Sequence, residues 1–141
     1  MTVDESDAYV LRDELPDPET FAHLREVAGM GPRSLEAIER GLPNTIYGVI
    51  AVHEPSGEVI GMGRLVGDGG AVYQISDMAV HPDHQGKGLG TGIMDRLEAH
   101  LEAEAPAGAY VNLVADVDDF YERFGYEPVR PGSKGMHRRI E

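Results

Sequence analysis

The chain has no cysteine. That absence excludes disulfides, thiolate metal sites and an acyl-cysteine intermediate. Lysine is scarce as well, since only Lys87 and Lys134 accompany ten arginines. No segment approaches the ~20 apolar residues of a membrane span. The start, Met1-Thr-Val-Asp-Glu-Ser-Asp7, is acidic and unlike a signal peptide. A cytoplasmic protein with no membrane partner is the expectation. No internal repeat, low-complexity tract or interdomain linker appears, so residues 1–141 are expected to form a single domain with one core. The six histidines, at 23, 53, 81, 84, 100 and 137, lack metal-ligand spacing and read as surface or turn residues. No bound metal is expected.

Acid is plentiful. Twenty-five acidic residues against 12 basic ones give a net charge of -13. Such a surface would repel nucleic-acid phosphates, and no nucleic-acid partner is expected. An acid-rich, lysine-poor surface suits a high-salt cytoplasm, and a GC-rich genome gives a similar bias.

Hydrophobic periodicity supplies the elements. Tyr9 to Leu11 reads as a short strand. Pro18 to Ala28 and Arg33 to Arg40 have helical spacing, with Gly29, Gly41 and Pro43 as stops. Ile46 to His53 and Val59 to Val66 form a hairpin around Pro55-Ser-Gly57. Asp68-Gly69-Gly70 leads into a strand from Ala71 to Val80. From Leu89, apolar residues recur at 93, 97 and 101 with Met94 beside them, one stripe of a helix facing a sheet. Tyr110 to Ala115 is expected to be a buried strand, Asp118 to Phe124 a short helix, and Met136 to Ile140 a last strand. The order predicts an α/β domain with a mixed, mostly antiparallel sheet flanked by helices.

Between the strand ending at Val80 and the helix opening at Leu89 lies Gln85-Gly86-Lys87-Gly88-Leu89-Gly90-Thr91. Three alternating glycines let backbone N–H groups converge without Cβ interference. The helix behind them adds unpaired donors and the positive end of its dipole. A phosphate or pyrophosphate suits such a loop. A merely tight connection would need no such series, at roughly 0.5–1 kcal/mol of backbone entropy for each glycine. A P-loop is excluded because Lys87 precedes Gly88 and no glycine lies at 81. A dinucleotide G-x-G-x-x-G is excluded because its last position falls on Thr91 or Ile93.

The pattern that fits is Q-x-x-G-x-G, at Gln85, Gly88 and Gly90, after Met78-Ala-Val-His-Pro82. It resembles the coenzyme A loop of the GNAT superfamily of acetyl-CoA-dependent N-acyltransferases. Phe120-Tyr121-Glu-Arg-Phe-Gly125-Tyr126 is similar to that superfamily's later F-Y-x-x-x-G element. The likeness spans roughly residues 45–130 and implies a GNAT-like fold. It also implies that acetyl-CoA contacts Gln85, Gly86, Lys87, Gly88, Leu89, Gly90 and Thr91. By the same likeness the pantetheine arm pairs with Met78, Ala79 and Val80 as a pseudo-strand, and the Met78 amide helps hold the thioester oxygen. Coenzyme A is an anion, but the loop touches it directly, whereas screening damps distant carboxylates beyond about 8 Å.

The implied reaction is direct attack of an amine on the acetyl thioester. A primary amine with pKa near about 10.4 must lose a proton before it attacks. The resemblance makes Tyr121 the candidate acid for the departing thiolate; a packing aromatic is the alternative. Where the family often places Glu or His, this chain has Gln74 and Ser76. Asp77 is then the candidate base, provided the strand bulges beside it; a water chain is the alternative. The family's Asn and Ala ahead of the Phe-Tyr pair are replaced by Val114 and Val117, leaving Asp116 and Asp118 as the polar residues there. The expected acceptor is a small, cationic amine, on the strength of the acidic surface and of Asp68 and Asp77 near the cleft. Gly29 to Leu42 is the segment expected to shape its specificity. A non-catalytic acyl-CoA-binding or sensing domain is the competing function, and homodimerisation is left open.

Overall fold

In the computed structural model, residues 8–117 and 119–140 are described. The expectations placed on Met1 to Asp7 and on Asp118 lie outside them. Strand β1 (Tyr9–Arg12) is followed by helices α1 (Pro18–Val27) and α2 (Leu35–Gly41), then β2 (Tyr47–His53), β3 (Glu58–Gly67) and β4 (Val72–Val80). Helix α3 (Leu89–Glu104) and the short β5 (Tyr110–Asn112) come next, and a 3-10 turn, Tyr121–Phe124, is the last regular element described.

Local chemistry explains the helices. Asp17 accepts the Thr20 amide at 2.8 Å and Pro18 opens α1, a favourable N-cap and N1 pair. Ser34 caps α2 through the Ala37 amide at 3.1 Å. In α3 the stripe Leu89, Ile93, Met94, Leu97 and Leu101 is buried, as its spacing predicts.

The five strands lie in sequence order, antiparallel from β1 to β4 and parallel between β4 and β5, with α3 as the crossover. Val49 to Val52 are buried on both faces of the sheet. One core, with Val49, Leu65, Tyr73 and Ile75, packs against α3; the other, with Met62 and Ala79, packs against Phe21 and Leu24 of α1.

Two strand expectations are corrected. β5 stops at Asn112 with Tyr110 exposed, and Val114 is 83% exposed rather than part of a buried strand. Residues 136–140 form no strand, and Met136 and Ile140 are exposed. The reason is shared. β4 offers β5 only Val72 to Gln74, so β5 is three residues long and gives a further strand almost no ladder to join.

Candidate functional site

The loop after β4 is built from its own short-range bonds. Pro82–His84 form a 3-10 turn, and Gln85 Nε2 donates to the Val80 carbonyl at 3.0 Å, tying the loop to the strand end. Gly86 and Gly88 take φ of 77° and 81°, the left-handed region that glycine enters without penalty. A Cβ on either would meet no atom within 4 Å, so both face open space. Helix α3 starts behind Gly88 with no side-chain cap. The amides of Leu89, Gly90 and Thr91 precede its first internal bond, Gly92 N–H to Gly88 carbonyl at 3.0 Å. An uncapped helix end behind open glycines fits a pyrophosphate.

β4 leads into this loop with one edge open. β5 pairs with it only through Gln74, so from Ile75 to Val80 no strand lies on that side among the described residues. The divergence is pinned by a pair of bonds. Gln74 Nε2 donates to Asn112 Oδ1 at 3.1 Å, and Asn112 Nδ2 donates to the Tyr73 carbonyl at 3.3 Å. Met78, Ala79 and Val80 therefore border a wedge that an extended, amide-bearing arm can enter by strand addition. The Ala79 side chain is buried toward α1, so only its backbone is available.

Tyr121 packs into the α3-side core and is 8% exposed. Its ring meets Phe120 edge-on at 4.9 Å, and Phe120 comes within 3.6 Å of the Cβ position of Gly90. The turn is held down where Tyr126 donates to the Glu98 carboxylate of α3. The Tyr121 hydroxyl makes no hydrogen bond among the described residues, yet no fully buried side-chain polar atom lacks a partner. It is thus an unpaired donor at the edge of the core, reachable from outside. Burial first, and then the charge of Asp116, push its pKa above the ordinary phenol value. Val114 and Val117 are exposed and take no part in that packing.

The bulge that Asp77 requires is present. Met62 pairs with Ala79 but Arg64 pairs with Ser76, leaving two residues of β4 opposite Gly63. Asp77 sits there at φ 58°. The extra residue resets the pleat: Tyr73 and Ile75 face α3 before it, Met78 and Val80 after it. Regular alternation, which would put Gln74, Ser76 and Met78 on one face, is therefore broken between Ser76 and Met78. Asp77 points toward α1, where Arg25 Nη1 and Arg64 Nε each hold one of its oxygens at 2.7 Å. Both of its oxygens are thus engaged by guanidinium donors on the α1 side of the sheet. Arg25, with a side chain only 7% exposed, also donates twice to the Gly31 carbonyl.

Asp68 does not lie at the cleft. It turns the chain at the opposite end of β4 from the glycine loop, its Oδ1 accepting the Gly70 and Val72 amides at 2.8 and 3.0 Å. Those backbone bonds hold its pKa low. The histidines are less dispersed than their numbers suggest. The rings of His53 and His84 lie 4.9 Å apart, and His81 and His23 continue the group. Tyr9 Oη sits 2.8 Å from His84 Nδ1, linking β1 to the turn before the glycine loop. Among the described residues no group of His, Asp or Glu could hold a metal ion. Asn112 and the arginines at Asp77 were missed by sequence reasoning. The one usable signal was Arg25, which follows Leu24 and lies four residues after Phe21, on the helix stripe that should be apolar.

Comparison with known proteins agrees with this geometry. Residues 44–128 match the acetyltransferase (GNAT) domain family. The uncharacterized N-acetyltransferase ycf52 of Porphyra purpurea is 30% identical over 115 residues, covering 80% of this chain and 66% of that protein. The chain thus spans just under two thirds of that relative's length. A structure from meticillin-resistant Staphylococcus aureus, described as a protein of unknown function and probable acetyltransferase, superposes with a TM-score of 0.89 at 37% identity, covering 94% of this chain and all of that one. A GNAT acetyltransferase of Brucella melitensis, solved with acetyl-CoA, shares the fold at a TM-score of 0.62 and 23% identity, covering 86% of this chain and 84% of that one. With a family match over more than half its length, the chain belongs to the GNAT acetyltransferase family.

Proposed function

We propose that this protein transfers an acetyl group from acetyl-CoA directly to the primary amine of a small molecule. The observation that carries the reading is the continuity of the open glycine loop, the free edge of β4 and the unpaired Tyr121 hydroxyl. Acetyl-CoA would supply the activated acyl group. The backbone donors of Gln85 to Thr91 hold its pyrophosphate, Lys87 adds a charge, and the edge from Met78 to Val80 aligns the arm. The backbone N–H of Met78 would stabilise negative charge on the acyl oxygen. Tyr121 gives a proton to the leaving sulfur. Asp77 serves as a positioning group: it anchors α1 to the bulge, and a water takes the amine proton in place of a carboxylate.

The competing reading, an acyl-CoA sensor without turnover, draws support from the lack of a free carboxylate at the bulge. The unpaired Tyr121 donor favours the enzyme. A panel of primary amines with acetyl-CoA, followed by release of free thiol and mass detection of the acetylated amine, separates the two. Coenzyme A binding with no thiol release from any amine would establish the sensor.

Replacing Asp77 by Asn tests the anchor. Asn tolerates positive φ as Asp does, so the backbone is spared and only the charge is removed. Two guanidiniums then face one neutral amide, and stability should fall by about 2 kcal/mol, a Tm loss of roughly 6 °C. An unchanged Tm with kcat lost would instead make Asp77 the base.

A further inference from the structure

In a chain of net charge -13, three of the ten arginines, Arg25, Arg33 and Arg139, bond to carbonyls of the loop between α1 and α2, and Arg64 adds its charge beside them. Arg25 and Arg64 share Asp77. Arg33 and Arg139 both donate Nη1 to the one Pro32 carbonyl, at 3.1 and 3.0 Å. A Cβ on neighbouring Gly31 would stand 2.5 Å from Arg139 Nη2 and 3.9 Å from Arg33 Nη1. The Gly31 carbonyl is held by Arg25 from the inside, while Arg33 and Arg139 lie outside and exposed. One carboxylate faces four guanidiniums, and neither Arg33 nor Arg139 has a carboxylate partner among the described residues. Burial and the charges of Arg25 and Arg139 lower the pKa of Arg33, so the repulsion is felt at that side chain.

Exposed like charges normally separate, and a protein this acidic has carboxylates to spare for them. Here the two outer guanidiniums are instead fixed on one carbonyl, with donor edges left over. The position matters as much as the charge. Arg25 joins this loop to the bulge of β4, on the face opposite α3 and on the strand along which the acyl group would lie. An acceptor amine approaching from that face meets positive charge. A second ammonium would be repelled, whereas an anionic substituent would be attracted.

We infer that the acceptor carries an anionic group, a carboxylate or phosphate, near its amine, and that Arg33 and Arg139 bind it. This rests on the acetyltransfer reading and replaces the cationic acceptor suggested by overall charge. The planar forks of two arginines suit the paired oxygens of either anion.

The test uses amines matched except for the anion: an amino acid against its amide, phosphoethanolamine against ethanolamine, and putrescine as the dication. The carboxylate and phosphate pairs tell the two anions apart. The anionic member should be preferred in kcat/KM by roughly 10- to 100-fold, the worth of a charged hydrogen bond. Arg33→Gln and Arg139→Gln should erase that preference by raising KM for the anionic amine, with kcat and the KM for acetyl-CoA within about threefold of the parent. Preference for putrescine or for the neutral members would overturn the inference while leaving acetyltransfer intact. Should no amine be acetylated, the acetyltransfer reading fails and thermal shift decides the anion site alone. A Tm rise with phosphoethanolamine or the amino acid that disappears in the doubly substituted protein supports it, and no rise refutes it.

Discussion

Gly88→Val should abolish coenzyme A binding, weakening affinity by more than about 100-fold, while the protein stays folded. Gly88 has φ 81°, where a β-branched residue is strained by about 1–3 kcal/mol. Its Cβ direction meets nothing within 4 Å, so the new side chain disturbs no packing and fills the space before the loop amides. The cradle is lost in two ways: the loop is pushed out of its left-handed conformation, and the mouth is blocked. Gly90→Val is a poorer test. Its Cβ would sit 3.6 Å from Phe120, so a larger side chain would also press on the turn that carries Tyr121. Lys87→Ala should cost less than either, because the backbone donors remain. Calorimetric titration with coenzyme A measures all three. Gly88→Val affinity within about threefold of the parent would show that the pyrophosphate binds elsewhere.

Tyr121→Phe should lower kcat by about 10²–10⁴-fold with little change in acetyl-CoA affinity. The hydroxyl has no internal partner among the described residues, so its removal breaks no hydrogen bond and stability should move by no more than about 0.5 kcal/mol. That makes the variant a clean probe of chemistry. The pH dependence follows from the raised pKa. The phenol is protonated through the neutral range and remains so beyond the usual phenol value. Activity that needs it should therefore be flat below about pH 10 and fall as pH rises through the elevated pKa. In Tyr121→Phe that alkaline limb should vanish along with most of the rate. Steady-state kinetics with thermal melts as the folding control give the answer. A variant with normal kcat would falsify the assignment and leave solvent to protonate the thiolate.

Some of this site is written along the chain. The glycine spacing at 86, 88 and 90, the apolar stripe from Leu89 to Leu101 and the Phe120-Tyr121 pair are local patterns. Phosphate loops and helix stripes depend on neighbours within a few residues, so their geometry follows from adjacency in sequence. The antiparallel order β2-β3-β4 also follows, because short turns join those three consecutive strands.

Other features belong to the fold alone. The bulge at Asp77 is a mismatch between two strands, 13 residues apart at Arg64 and Asp77, and neither strand encodes it alone. It sets Asp77, the candidate base, against Arg25 and Arg64, and it moves Met78 to the α3 face. β5 ends early because β4 bends away from it, which no property of Tyr110 to Ala115 announces. Arg33 and Arg139 are far apart in sequence and meet on one carbonyl. Net charge suggested a cationic acceptor; the anionic acceptor inferred above rests instead on local arginines, because electrostatics at a site depends on the few charges within a screening length, not on the total. Adjacency along the chain thus set the glycine loop and the helix behind it; only the tertiary contacts brought Asp77 to Arg25 and Arg64 and set Arg33 and Arg139 on one carbonyl, because those groups come from separate parts of the chain.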